Sequence, residues 1–270
     1  MQYDPIKRYL GTVFNTTPTL RVLFYRMLNL LLLRTWHIKR EVRKIKKSFS
    51  SNVEILDAGS GFGQYVHYLS TLSPLYKIKG VDVKAEQIAD CNQFFAKLGK
   101  ADQVIFEEAD LTKFYEPDKY DMILSVDVME HILEDVDVFK NFYRSLKHGG
   151  ILLVSTPSDQ GGSDVHDHDE ESSFIEEHVR DGYNPKDIEE KLFSAGFSKV
   201  ETMFSYGWPG KISWKLSMKY PIQMVNITRI FLLVLPFYYI ITFPFALILN
   251  YLDVKITHKS GTGLIVKAWK

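Results

Sequence analysis

Apolar and polar positions change period several times along this chain, and the changes divide it into elements. From Leu20 to Lys47 apolar residues recur at helical spacing with no Pro or Gly between them, which predicts one long helix or two. A regular alternation follows. "VEILDAG" from Val53 reads as a strand and "GQYVHYLSTL" as a helix; "IKGVDV" is a second strand and "KAEQIADCNQFFAKLG" a helix stopped by Gly99. "VIFEEAD" and "YDMILSVDV" are the third and fourth strands, and "EDVDVFKNFYRSLKHGG" a helix with a Gly stop. "ILLVSTP" is the fifth strand and "NPKDIEEKLFSAGF" a helix with Pro185 near its start. "SKVETMFSYG" is the sixth strand, and "GLIVKAW" is a last one reached only after about fifty residues, far beyond the usual connection length. Strands alternating with helices predict an α/β fold with a largely parallel sheet covered on both faces. Ligands of such sheets sit at the carboxyl ends of the strands.

The first of those strand ends carries "GSGFG", with Gly59, Gly61 and Gly63 in five residues. A bare backbone there can turn sharply and lie against a ligand, and the following helix offers unpaired N–H groups. Alone, the triplet fits a tight strand-to-helix turn equally well. Acids at neighbouring strand ends enlarge the picture. Asp57 lies just before the turn, Asp82 ends the second strand and Asp110 the third. A carboxylate at Asp82 can take both hydroxyls of a ribose, and one at Asp110 can accept from an exocyclic amine. The spacing is not Gly-x-Gly-x-x-Gly, and no Lys follows the loop, so a ligand without a pyrophosphate or triphosphate is expected.

With "ILDAGSGFG", "GVDV", "EADL", "YDMILSVDVMEHI", "LKHGGILLVSTPS" and "AGFSKVE" in place, the chain resembles the class I S-adenosylmethionine-dependent methyltransferases over roughly Val53 to Val200 plus "GLIVKAW". The resemblance implies a doubly wound, Rossmann-like sheet of seven strands, mostly parallel, with an antiparallel last strand. It implies S-adenosyl-L-methionine as cofactor and S-adenosyl-L-homocysteine as product. Gly59, Ser60, Gly61 and Gly63 would cradle the amino-acid part, Asp57 would stand beneath it, and Asp82 would hold the ribose. Val83 would pack on the adenine, Asp110 and Leu111 would read its amine, and Ser125 and Asp127 would lie under the methyl group. The implied division is 1–50 as a helical cap, 51–205 as the cofactor-binding core, 206–260 as an apolar helical insertion and 261–270 as the final strand.

Methyl transfer from a sulfonium mainly needs alignment and exclusion of water, with a base only where the nucleophile arrives protonated. "DVMEH" offers Asp127, Glu130 and His131 on one helical face. Three readings stand side by side. His131 could be a general base; the three could bind a divalent metal with His166 or His168; or Glu130 and His131 could brace the cofactor loop. The pattern is similar to that of metal-using O-methyltransferases, with Asp127 where those carry Glu. A metal is not favoured. After the fifth strand, Asp167, Asp169, Glu170 and Glu171 read as a solvated loop, while His178, Arg180 and Tyr183 are expected in the acceptor pocket. Trp36, His37 or Arg40 could reach the cofactor from the N-terminal helix.

Composition changes the picture at the flanks. The 270 residues carry 33 basic and 33 acidic side chains, so net charge gives no case for a nucleic-acid partner. Cys91 stands alone, which excludes an internal disulfide and fits a reducing, cytoplasmic setting. Asp4 and Pro5 argue against a secretory signal. Charge is uneven, however. "RTWHIKREVRKIKK" from Arg34 is strongly basic, and Ile230 to Leu252 carries no charged residue. That second stretch has the ~20 apolar residues a membrane helix needs. Yet the sixth strand precedes it and the last strand follows, and a single crossing would separate strands that must pair. Pro236 and Pro244 predict broken helices. The stretch is then a cap over the pocket, a homodimer face, or an element lying on the inner face of the membrane. As a cap it would line the entrance with Phe231, Phe237, Tyr238, Tyr239 and Phe243, which suits a hydrophobic small-molecule or lipid-like acceptor, methylated on oxygen or carbon. A catalytically silent membrane scaffold and a nicotinamide oxidoreductase are the alternatives from other classes.

Overall fold

The structure, a computed structural model, describes residues 17–49, 52–161, 179–228 and 230–270. Its centre is a seven-stranded sheet in the order β3-β2-β1-β4-β5-β7-β6. The strands are β1 (Val53–Ala58), β2 (Tyr76–Asp82), β3 (Val104–Glu108), β4 (Tyr120–Val126), β5 (Leu146–Pro157), β6 (Lys199–Ser205) and β7 (Gly263–Trp269). β7 runs antiparallel to both β5 and β6, and the other pairings are parallel. This is the doubly wound arrangement with the antiparallel last strand. The order reverses between β1 and β4, where a ligand crevice opens in such sheets.

Two-residue alternation assigns each strand side chain to one of two cores. Ile55, Met122, Leu124, Leu153 and Ile265 pack on one face against α2 (Leu33–Ile45), α3 (Gln64–Ser70) and α4 (Ala85–Lys97). Leu56, Ile123, Leu152, Val154 and Val266 pack on the other against α5 (Asp135–Ser145) and α6 (Pro185–Ser194). Both faces being covered explains why the central strands read as continuous apolar runs.

The N-terminal helical stretch is two helices. α1 (Pro18–Leu31) starts on a Thr17 cap that accepts from the Leu20 amide, with Pro18 in its first turn. Leu32 adopts an extended conformation, φ −86° and ψ 110°, and α2 sets off in a new direction. "LKHGG" is not a helix end as expected but the start of β5. Leu146 is buried and pairs with Tyr120, and the register then jumps to Met122–Ile151 across a bulge at Gly149, whose φ is 76°.

Between β6 and β7 the chain makes a helical excursion. α7 (Trp208–Trp214), a π-helical stretch (Lys215–Lys219) and α8 (Tyr220–Ile227) lead out, and α9 (Phe231–Lys255) returns. Pro236 and Pro244 lie inside α9 without ending it, contrary to the expected break. Each proline removes only one backbone donor. The Tyr238 and Tyr239 hydroxyls meanwhile donate to the Leu216 and Ser217 carbonyls of the π stretch (2.7 and 2.9 Å) and hold α9 on its partner limb.

Candidate cofactor and acceptor site

After β1 the backbone doubles back on β2. The Gly59 and Ser60 amides both donate to the Val81 carbonyl (2.9 Å each). Gly59, Gly61 and Gly63 have φ of 80°, 51° and 82°, the left-handed region that glycine enters at no steric cost. Their reasons for lacking a side chain differ. A Cβ on Gly59 would sit 2.2 Å from Val128 Cγ2, and one on Gly63 3.1 Å from Phe106 Cζ. A Cβ on Gly61 would meet no atom of the described residues within 4 Å. Gly61 therefore faces open space among the described residues, and its bareness serves something other than their packing.

The strand-end acids take distinct places. Asp82 accepts from the Gly61 amide through Oδ2 (2.9 Å) and from the Lys84 amide through Oδ1 (3.1 Å), so one carboxylate fixes the glycine loop and the next turn together. Each oxygen keeps a further acceptor site. Asp57 is buried, and burial, reinforced by the negative charge of Asp82, pushes its carboxyl up to about 7. Asp110 is exposed and caps its own turn through Thr112, which donates from both N (2.9 Å) and Oγ1 (2.7 Å) and holds Asp110 below the usual range. Leu111 is buried behind it and Val83 is largely exposed. Three buried polar atoms at this end of the sheet, Asp57 Oδ2, Ser60 Oγ and Ser125 Oγ, have no hydrogen-bond partner in the described chain.

The "DVMEH" segment follows β4. Asp127 has φ 53°, a sparsely populated conformation for a residue with a side chain, and such strain concentrates at functional sites. Its Oδ2 is ion-paired with Arg34 Nη1 from the first turn of α2, and the Arg34 amide donates to the Tyr206 hydroxyl (3.1 Å). Glu130 is buried beside them and accepts from Thr156 Oγ1 (3.1 Å). Burial first, then the Asp127 charge, push its carboxyl up to about 8. His131 is exposed. Among the described residues no group of three metal-ligating side chains is placed to hold an ion, and His166 and His168 lie outside them.

His178, Asp167, Asp169, Glu170 and Glu171 also lie outside the described residues. Arg180 and Tyr183 converge on the base of "DVMEH". Arg180 pairs with Asp135 and donates to the Ile132 carbonyl (2.7 Å), while the buried Tyr183 hydroxyl donates to Asp135 Oδ2 (2.7 Å). They are placed as braces for the residues that carry Glu130. Trp36, His37 and Arg40 turn away from the glycine loop: Trp36 Nε1 donates to the Leu30 carbonyl (3.1 Å), His37 pairs with Asp253 (2.7 Å), and Arg40 contacts Glu41 and the Val254 carbonyl. The residues of the N-terminal helices that do reach the site were not singled out from the sequence. Arg21 donates to the Phe62 carbonyl (2.8 Å) and pairs with Asp90 (2.5 Å), and Tyr25 donates to the same carbonyl. Gln64, which opens α3, donates to Asn29 (3.0 Å). A basic run signals such contacts only in bulk, because their partners lie dozens of residues away.

An open glycine cradle at the switch point, acids on three strand ends and a covering N-terminal helix define a nucleoside-binding α/β domain. Residues 49–205 match the family model described as "Methyltransferase domain", and the chain belongs to that family, the S-adenosylmethionine-dependent methyltransferases. Phosphoethanolamine N-methyltransferase 1 of Triticum aestivum is 28% identical over 156 residues, which are 57% of this chain and 30% of that relative. Ubiquinone biosynthesis O-methyltransferase of Pelagibacter ubique is 28% identical over 130 residues, 46% of this chain and 52% of that protein. Among solved structures, phosphoethanolamine N-methyltransferase 2 of Haemonchus contortus in complex with S-adenosyl-L-methionine shares the fold, with a TM-score of 0.60 and 20% identity over 87% of this chain and 52% of that one. The chain thus spans less than a third of the plant relative and about half of the nematode one. The residues present fit the cofactor of the family. Gly61 leaves room for it, and the unpartnered Asp57, Ser60 and Ser125 atoms offer polar contacts to a zwitterionic ligand.

Proposed function

We propose that this protein is an S-adenosylmethionine-dependent methyltransferase acting on an apolar, lipid-like small molecule at oxygen or carbon. The observation that carries the cofactor reading is the bare Gly61 turn, tied through its amide to Asp82 and open on its other side. When bound, the cofactor supplies an electrophilic methyl group on sulfur. The chain would then do four things. Gly59 to Gly63 and Asp82 hold the adenosyl and amino-acid parts. Arg21 and Tyr25 pin α1 over the loop and limit water. Asp127 and Glu130 orient the nucleophile, and Glu130, whose carboxyl stays protonated up to about pH 8, takes a proton from it once ionised. The apolar excursion leaves β6 at Tyr206, whose hydroxyl accepts from the amide of Arg34, the ion-pair partner of Asp127, and this placement beside the site supports a greasy acceptor.

A second reading, methylation of an amine, is favoured by the name of the plant relative. Calorimetry with S-adenosyl-L-homocysteine tests the cofactor. Binding supports the reading, and heat with a nicotinamide dinucleotide but none with S-adenosyl-L-homocysteine overturns it. Transfer of a labelled methyl group to phenolic, enolic and amino amphiphiles then separates the acceptor atoms.

A further inference from the structure

The excursion between β6 and β7 is a helical hairpin. Ser213 Oγ donates to the Ala246 carbonyl (3.1 Å), while Leu216 and Ser217 meet Tyr238 and Tyr239, so the two limbs run antiparallel, the first ending at Ile227 and the second starting at Phe231. The hairpin's base is fixed by the buried Asp253, which accepts from the Gly210 amide (2.9 Å), the Tyr206 amide (3.2 Å) and His37. Away from the base little of the return limb is covered. Only Ala246, Asn250 and Asp253 of its 25 residues are buried. A soluble core helix of this composition would be mostly buried. Here Leu233, Phe237, Ile240, Ile241, Phe245 and Ile248 are each more than half exposed, and their spacing puts them on one face. Contiguous exposed apolar surface of this kind marks an interaction site. Of the five side chains expected to line a capped entrance, Phe237 is exposed, while Phe231, Tyr238, Tyr239 and Phe243 are half-buried and the two tyrosines bond to the outgoing limb.

Charge and topology decide the occupant. From Tyr206 to Leu252 there is no Asp or Glu, while the outgoing limb carries Lys211, Lys215 and Lys219. A second copy docked on this face would bring two like-charged hairpins together, since the hairpin's own sequence supplies no acid to offset its lysines. An anionic lipid surface complements them. β6 and β7 are neighbours in the sheet, so the hairpin leaves and re-enters the domain on the same side. We propose that the α7–α9 hairpin is a monotopic membrane-docking element, its apolar face in one leaflet and its lysines among anionic phospholipid head groups. This inference is independent of the methyl acceptor and of cofactor binding.

The test is flotation of the full chain with phosphatidylcholine vesicles, with and without phosphatidylglycerol, alongside sedimentation velocity without lipid. The wild type is expected to float with the anionic vesicles. The substitutions Leu233→Glu and Phe237→Glu together, both at exposed positions, should weaken that binding more than ten-fold on the scale of charge insertion into lipid, with the melting temperature unchanged. Should that variant misfold, K211Q/K215Q/K219Q serves instead. Each lysine near an anionic surface contributes about five-fold, so the triple variant should bind about a hundred-fold more weakly. Failure of the wild type to float with the anionic vesicles overturns the proposal, as does flotation that a folded variant leaves undiminished. A dimer dissolved by the Glu substitutions, without vesicle binding, assigns the face to a second copy and overturns it equally.

Discussion

Arg34, in the first turn of α2, is ion-paired with Asp127, the strained residue that follows β4. The pair joins residues 93 positions apart and fastens the N-terminal helices onto the end of the sheet where acceptor and methyl group would meet. Both side chains are partly exposed, 38% for Arg34 and 30% for Asp127, so the pair is worth about 1 kcal/mol or less. Replacing Arg34 with Gln should then lower the melting temperature by only about 2–4 °C. Its effect on chemistry should be larger. The Arg34 charge is one of the influences that lower the Glu130 carboxyl pKa, so its removal should move the ionisation of Glu130 to higher pH. A pH–rate profile whose ascending limb stays in place would show that Arg34 acts on Asp127 alone.

Gly61 and Gly59 separate binding from folding. Gly61→Ala places a methyl group in open space at φ 51°, at a conformational cost of about 1–2 kcal/mol. The protein should fold and lose at least ten-fold in affinity for S-adenosyl-L-homocysteine. Gly59→Ala drives a Cβ into Val128 Cγ2 at 2.2 Å, so folding itself should suffer, by about 1–3 kcal/mol of overpacking beyond the same backbone cost. Chemical denaturation and calorimetry on both variants check the contrast. Equal affinity of Gly61→Ala and wild type for the nucleoside would remove the cradle.

The sheet and the cofactor edge were legible in the sequence because both are local. Period-two runs, the glycine triplet and acids at strand ends each declare themselves within a few residues. The "LKHGG" segment was misread because a glycine after a helical run signals a stop, whereas the buried pairing of Leu146 with Tyr120 decides the matter through a distant strand. Arg34, Arg21 and Tyr25 were not singled out for the same reason, since nothing near them in the chain marks Asp127 or the Phe62 carbonyl as partners. The hairpin was half legible. Its composition showed that it is apolar and the strand order that it cannot cross once, but only the packing of Ala246 on Ser213 shows which face remains uncovered.

Glu130 predicts a pH dependence of stability. Its carboxyl ionises at about 8 in the folded chain against 4.5 in an open one. The folded state therefore holds a proton that the unfolded state has released between those values, so stability is fully present below pH 4.5 and declines as pH rises toward 8. Glu130→Gln keeps the shape, cannot ionise, and should flatten the melting temperature across that window. An unchanged slope in the variant would assign the dependence elsewhere, with Asp57, raised to about 7 by burial, next in line.

Asp253 predicts where the hairpin is vulnerable. It is fully buried and takes hydrogen bonds from His37, Gly210 and Tyr206, with His258 at 3.2 Å. Burial lowers the pKa of His37, so the contact at neutral pH is a hydrogen bond from a neutral ring to a carboxylate. Asp253→Ala would leave those donors buried without an acceptor, a loss of about 3–5 kcal/mol on the scale of broken buried charge networks. Asp253→Asn keeps an oxygen for two of the donors and should lose roughly half as much on the same scale. Hydrogen exchange should localise the opening to 206–260, with the amides of β1 and β4 protected as in the wild type. If those central amides open together with the hairpin, the excursion is part of the cooperative core, and the lysine and apolar substitutions must then be judged against a fold they would themselves weaken.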